Sequence, residues 1–425
     1  MSLIIHFTIN KDQNMTRLYD IPSVAYSAEY NLIATKYRPI FEKIATGTLQ
    51  REQERILPFE QIQWLKDAGF GALRVPKEHG GDGASLPQLF QLLIELSKAD
   101  SNVTQALRGH FAFVEDRLNA QLENDQSHWF KRFVAGEIAG NAWTEIGTVK
   151  IGDVITKLTK QNDQWIVNGQ KYYTTGSIFA EWLDLFAQND ETGEVVIAAT
   201  RTQQEGVTIK DDWDGFGQRT TGSGTAVLVN AVVDEVIAFD SRFKYQTAFY
   251  QLFHLATLTG IAQAALEEFK TQVRQRTRVF SHGNGDRVDQ DVQVLQVIGK
   301  ASAQTYAAEA ITIQAAQASQ RAFQAHFSKD ADYENQVNIL AEIESAQGQV
   351  VIADLVLDLT SKLFNALSAS AASSSKSLDR FWRNARTVSS HNPLIYKEKS
   401  IGDWEINGTE PIYAWQIGGG SKTQN

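Results

Sequence analysis

The chain has 425 residues, 43% of them hydrophobic, with 40 Lys+Arg against 50 Asp+Glu and a formal net charge of −10. That length suggests about three folding units, and that apolar content suffices for a core, which excludes wholesale disorder. An acidic balance lacks the basic face that a general nucleic-acid binder needs, and no apolar run approaches the roughly 20 residues that span a bilayer. A cytoplasmic protein with neither a nucleic-acid nor a membrane partner is expected. The opening residues, MSLIIHFTINKDQN, carry neither a basic n-region nor a small-residue cleavage site, so no secretory signal is read there, and Met15 is an alternative start.

From Ser27 to about Ala139 the apolar spacing is helical, as in Ile33, Tyr37, Ile40, Phe41 and Ile44, and again in Leu89, Leu92, Leu93 and Leu96. Pro58 opens PFEQIQWLKDAGF, with proline at the start and glycine near the close. Near Gly140 the period changes. Short runs at 151–160, 164–168, 183–188, 194–200, 206–210 and 225–240 are rich in Val, Ile, Thr and aromatics and are broken by turn residues, so they read as strands of an antiparallel barrel or sandwich. Helical periodicity returns after Arg242 in four long candidates, 247–278, 288–324, 332–368 and 378–390, which suit a bundle and an oligomer core. Expected domains are 22–139, 140–241, 242–400 and a tail, 401–425. The tail's Trp404, Tyr413 and Trp415 are expected to dock, and its last nine residues to be disordered.

Sulfur is nearly absent, with 0 Cys and 2 Met, Met1 and Met15. Disulfides, thiolate nucleophiles and Cys-ligated zinc are therefore excluded. Two explanations fit: avoidance of oxidisable side chains near oxygen chemistry, or sulfur economy in a protein made when sulfate is scarce.

There is no Walker loop, HExxH or Rossmann fingerprint, and no metal site is expected. More informative is a set of segments in order: VPKEHGGDG (75–83), AWTE (142–145), VNGQKYYTTG (167–176), GFGQRTTGSGTA (215–226) and DRFWRNARTVSSHNP (379–393). As a set they resemble the acyl-CoA dehydrogenase superfamily. RFWRNART followed by SSHNP, with DDW at 211–213, is similar to its flavin-dependent monooxygenase branch, which includes dibenzothiophene monooxygenases and sulfur-acquisition oxidoreductases. The fold implied is α+β: an N-terminal helical domain, a central antiparallel β-barrel or sandwich, and a C-terminal four-helix bundle. Dehydrogenases of the superfamily carry a catalytic glutamate just past this last run. Asn392 stands there instead, and an amide has no pKa at which to act as a base.

The resemblance implies a reduced flavin between the β block and the bundle, FMN by the absence of signatures for the adenylate half, with FAD as the alternative. Asn141 and Thr144 would meet the pyrimidine edge, Thr175 its N5 side, and Trp213 would pack beside it. A flavin has an apolar body and a polar rim, and such residues suit it. Arg278 matches an arginine that reaches the flavin phosphate, often from a neighbouring subunit, with Arg274 and Arg276 as alternatives. The segment 367–375, LSASAASSS, replaces the family's glycine-bearing turn, with Ser370 offering a hydroxyl to phosphate. His110 and His391 match two histidines of the branch that face substrate. Oxygen activation asks for neutral donors there, which histidine and threonine supply and a carboxylate does not. Asn392 completes the expected cofactor contacts. Val388 departs from the branch, where a further histidine is common, and His254 with the remaining histidines reads as structural.

The expected activity is oxygenation of a small organosulfur compound by FMNH2 and O2, in a homotetramer fed by a separate NAD(P)H-dependent flavin reductase and used in sulfur scavenging. The alternatives are an acyl-CoA dehydrogenase with a relocated base, on the second helix for instance, and a catalytically inactive flavin-binding scaffold.

Overall fold

A computed structural model describes residues 27–146, 154–239 and 242–413. The alternative start at Met15, the docking of Trp415 and the expected disorder of the last residues lie outside that range. Helix α1 (Ala28–Ala45) begins where the Ser27 hydroxyl accepts from the Tyr30 N–H, and it buries Tyr30, Ala34, Tyr37, Phe41 and Ile44 along one face. Helices α2 (Thr48–Glu54) and α3 (Phe59–Asp67) follow. Helix α4 (Leu86–Ala99) starts from a reciprocal capping box between Ser85 and Gln88. Then come α5 (Ser101–Ala106), α6 (Arg108–Ala120) and α7 (Ser127–Val134).

The central strands are β1 (Ala139–Ala142), β2 (Lys157–Gln161), β3 (Gln164–Lys171), β4 (Trp182–Asn189), β5 (Val195–Arg201), β6 (Val207–Ile209), β7 (Ala226–Val233) and β8 (Glu235–Ala238). Their order is β6-β7-β3-β2-β4-β5-β8, with β1 also on β4. The sheet is mixed: β1 and β2 lie end to end along one edge of β4, both parallel to it, and the other pairings are antiparallel. Alternation along a strand records which face is buried and carries no information on partner direction. On β4 it sorts the two faces cleanly. Leu183, Leu185 and Ala187 point into an all-β core with Val167, Ala198 and Leu228, while Trp182 packs with Phe113, Trp129 and Phe133 of the helices.

The C-terminal helices are α8 (Gln246–Gln275), α9 (Val292–His326), α10 (Ala331–Lys362), α11 (Arg380–Ser389) and α12 (Leu394–Asn407). The four long candidates read from sequence correspond to α8–α11, whereas α12 runs through residue 400, where a tail was expected to begin. Helix α8 is buried nearly all round over 248–262 and is the axis on which α4, α9 and α10 pack. The tail returns to it: the Thr247 hydroxyl donates to the Tyr413 carbonyl. Among the described residues no helix is long and apolar enough to cross a membrane.

Candidate functional site

Segments far apart in sequence converge where the β block meets the bundle. The loop at 211–224 lies on α11 so closely that a Cβ at Gly217 would sit 2.1 Å from the Arg383 carbonyl oxygen. The Gln218 N–H donates to Asn384 Oδ1 at 2.5 Å, and Phe216 stacks on Trp382 with ring centroids 6.1 Å apart. From its other side the loop reaches α5, where Gln218 donates to the Ser101 hydroxyl at 2.9 Å and the Thr220 N–H to Asn102 at 3.2 Å. On the next helix, a Cβ at Gly109 would meet the Asn141 N at 2.7 Å, so α6 and β1 are in backbone contact.

This convergence brings together most of the residues expected to hold a flavin. Thr175, Ser223 and Thr221 form a run of hydroxyls with successive contacts of 2.7 Å. Trp213 donates its indole N–H to the Gln218 carbonyl at 3.0 Å and meets the Tyr173 ring edge-on at 5.9 Å. The Thr144 carbonyl accepts from the Tyr172 N–H at 2.9 Å, and its hydroxyl makes no hydrogen bond among the described residues. Asn141 is buried with its Oδ1 unpartnered. Buried polar atoms without partners are rare, and each points to something missing.

His391 follows α11 and is exposed on one side, in the recess where α11 meets α8, with its ring against His254 on the other. Its ring centroid lies 4.4 Å from that of His254 on α8. Desolvation, aided by the charge of Arg108, pushes the His391 pKa down to about 3, and the same causes, with His391 itself, hold His254 well below its ordinary value. Both rings are neutral at pH 7. His391 Nδ1 contacts Asn392 Oδ1 at 3.2 Å, while Asn392 Nδ2 donates to Gln251 at 2.9 Å. That amide orientation assigns the proton to Nδ1 and leaves His391 Nε2 as an acceptor. The resting ring is thus an acceptor toward the recess, not the donor expected from sequence. Gln349 also donates to the Asn392 backbone carbonyl at 2.8 Å, so Asn392 is tied to α8, α10 and the His391 ring.

His110 lies elsewhere than expected. It is fully buried, its Nε2 contacts the Gly71 carbonyl at 2.9 Å and its Nδ1 accepts from the Ala139 N–H at 3.3 Å. With both nitrogens taken by backbone it has no donor to offer a substrate. Two further candidates stand apart from the cluster within one chain. Arg278 is exposed at the far end of the bundle, lining a hollow of about 40 Å³ with Arg276 and Phe280. Ser370 is exposed too, and its hydroxyl contacts Ser368 at 3.1 Å.

Three residues of the recess escaped the sequence reading: Arg108, Tyr250 and His254. The Arg108 guanidinium sits over the Tyr250 ring at 4.9 Å. Its Nε, the Tyr250 hydroxyl and His254 Nε2 are buried without hydrogen-bond partners. A signal existed, because Tyr250 and His254 are four apart on one helix and therefore share a face, but nothing in one sequence shows which face of an all-buried helix meets the β block. Of the buried carboxylates, Asp116 and Asp184 are engaged by Arg117 and Arg242, and Glu342, whose pKa burial pushes up to about 7, accepts from the Ala248 N–H of α8. The acidic residues of α8 are Glu267 and Glu268, 13 and 14 residues from His254, or about 20 Å along the helix. Among the described residues no three His, Asp or Glu side chains are grouped to hold a metal ion.

The N-terminal acyl-CoA dehydrogenase domain model matches residues 27–137 and the C-terminal one residues 252–394. A dibenzothiophene monooxygenase of Mycolicibacterium goodii is 26% identical over 402 residues, covering 88% of this chain and 94% of its own length. The structure of the methanesulfinate monooxygenase MsuC from Pseudomonas fluorescens superposes with a TM-score of 0.81 at 25% identity, covering 92% of this chain and 99% of that one. The FMN-bound TdsC of Paenibacillus sp. A11-2 gives 0.78 at 27% identity, covering 90% and 98%. The fold, the order of its segments and these likenesses agree: the chain belongs to the acyl-CoA dehydrogenase superfamily, among relatives that are flavin-dependent monooxygenases.

Proposed function

We propose that this protein is a two-component flavin-dependent monooxygenase that oxygenates a small organosulfur compound with O2 and reduced FMN. One observation carries the reading: where the β block meets the bundle, Asn141 Oδ1, the Tyr250 hydroxyl and His254 Nε2 are buried without partners beside Arg108, while the described carboxylates Asp116 and Asp184 are held by arginines. A dehydrogenase needs such a base, and neither Asn392 nor the recess face of α8 supplies one. The residues fit a flavin. Asn141 Oδ1 is an acceptor for a ring N–H, the Thr144 hydroxyl is a donor for a ring carbonyl, and the Thr175 hydroxyl run lines the same region. When bound, reduced flavin supplies the electrons that activate O2. The chain's own part is to orient the ring, keep water out behind Trp213 and Tyr173, and present His391 Nε2 as an acceptor on a ring that Asn392 fixes.

FMN is favoured over FAD because TdsC binds FMN on the same fold at 27% identity. The reaction runs in the cytoplasm, fed by a separate NAD(P)H-dependent reductase. Near-absence of sulfur from the whole chain supports a role in sulfur scavenging. The assembly is a homotetramer, supported by exposed Val279, Phe280, Val292 and Leu295 around Arg278, which then faces a neighbouring subunit's flavin. The deciding test is anaerobic titration with reduced FMN followed by oxygen. Tight binding of reduced FMN, oxygen uptake, and no turnover of acyl-CoA are expected; FAD-dependent acyl-CoA oxidation would replace this reading with the dehydrogenase one.

A further inference from the structure

Arg108 has no role in holding the fold that its surroundings reveal. It is buried, at 6% exposure, yet it makes no ion pair among the described residues, its Nε has no hydrogen-bond partner, and its one described contact is the face of Tyr250. The other buried arginines behave differently. Arg51 pairs with Asp100 at 2.8 Å, Arg74 with Glu115 at 2.9 Å, and Arg242 with Asp184 at 3.2 Å. A guanidinium taken out of water without an anion is costly, and a stacked tyrosine offsets only part of that cost. The groups in reach do not neutralise it: His254 and His391 are uncharged imidazoles, and Asp116 and Asp184 are committed elsewhere. The recess therefore carries one uncompensated positive charge.

We propose that Arg108 is the receptor for an anionic substrate, and that the organosulfur compound oxygenated here is a small oxyanion of the alkanesulfinate class. This rests on the monooxygenase reading above and adds the substrate's charge to it. A planar fork of N–H donors matches the two oxygens of a sulfinate. Sulfinate sulfur keeps a lone pair and can accept one oxygen atom, whereas sulfonate sulfur has none to give. One alkanesulfinate, one O2 and one reduced flavin then yield the alkanesulfonate, water and oxidised flavin. The sulfur lone pair forms the new S–O bond and the O–O bond breaks. The second oxygen leaves as water with the two hydrogens from the flavin, and the single negative charge is carried through. An anionic part of the flavin could also claim a guanidinium, and FMN affinity in the Arg108 variants separates the two claims.

The test is calorimetry on the full chain with methanesulfinate, its neutral analogue dimethyl sulfone, and FMN as three separate probes, with Arg108→Gln and Arg108→Lys beside wild type. Methanesulfinate should bind wild type well and dimethyl sulfone poorly. Arg108→Gln should weaken methanesulfinate by at least about 30-fold, Arg108→Lys should lose less, and FMN affinity should stay within about twofold throughout. Dimethyl sulfone binding wild type as well as methanesulfinate would overturn the proposal, and that comparison needs no variant to fold. Sulfinate affinity unchanged in Arg108→Gln would overturn it too, and parallel loss of FMN affinity would reassign Arg108 to the flavin. Wild type that binds methanesulfinate but no FMN would instead fail the monooxygenase reading and leave the anion site standing.

Discussion

Both ring nitrogens of His110 are bound by the backbone of other segments, Gly71 on one side and Ala139 on the other, so the imidazole ties α6 to the start of β1. Burial lowers its pKa from 6.5 to about 4, with its bond to Gly71 opposing. A depressed histidine contributes stability that is present above the unfolded pKa and lost as pH falls toward the folded one. The window is therefore pH 6.5 down to 4, and about 2 kcal/mol is lost between pH 6.5 and 5. His110→Gln is expected to be less stable at pH 7 by about 1–3 kcal/mol but flatter with pH, so thermal midpoints of the two proteins converge at pH 5. Equal slopes would show that folding does not lower the His110 pKa. For His391 the proposed function predicts a role in the chemistry. His391→Ala should uncouple flavin oxidation from substrate oxygenation, releasing hydrogen peroxide and lowering product formation by about 10²–10³-fold, while Asn392→Ala should give a milder version by freeing the same ring. Peroxide assays at matched oxygen uptake check both, and full coupling in His391→Ala would remove its role.

At the scale of elements, the site depends on how one loop seats on one short helix. The segment 211–224 meets α11 through Gly217, the Gln218 N–H and the Phe216–Trp382 stack, and it carries Trp213 to Tyr173 and Ser223 to Thr175. Gly217→Ala places a methyl where the Arg383 carbonyl now sits, so the loop must lift. A loss of about 1–3 kcal/mol is expected, together with weaker flavin binding, because the hydroxyl run from Thr175 through Ser223 loses its anchor. Denaturant midpoints and FMN titration measure the two effects separately; a stable variant with unchanged FMN affinity would mean that the seat does not position the site.

For the whole molecule, two expectations join composition to assembly. Light scattering should give a mass near four times 47.4 kDa, about 190 kDa, and Phe280→Glu with Leu295→Glu should lower it, since both side chains are exposed apolar groups at the same end of the bundle. A wild-type mass of one chain would remove the tetramer and with it the neighbour's claim on Arg278. Protein abundance should rise when sulfate is replaced by an organosulfur source. The rival explanation, protection from oxygen chemistry, predicts that sulfur is missing only near the flavin, whereas 0 Cys and 2 Met in 425 residues is a property of the entire chain.

The sequence by itself determined the element types, the helix–strand–helix order and the long bundle helices, because the periods of 3.6 and 2 are written in which residues are apolar. It also carried the family, through segments whose glycines and aromatics are needed where backbones approach closely. It did not determine strand direction along β4, since an alternating pattern looks the same for parallel and antiparallel neighbours. Nor did it separate His110 from His391. Both sit in conspicuous segments, yet one spends its nitrogens on backbone and the other opens to the recess, a difference made only by what packs around them. Arg108, Tyr250 and His254 stayed hidden for the same reason. A charge on a helix reads as a solvated face until tertiary packing shows it buried without a partner, and only then does it point to a ligand.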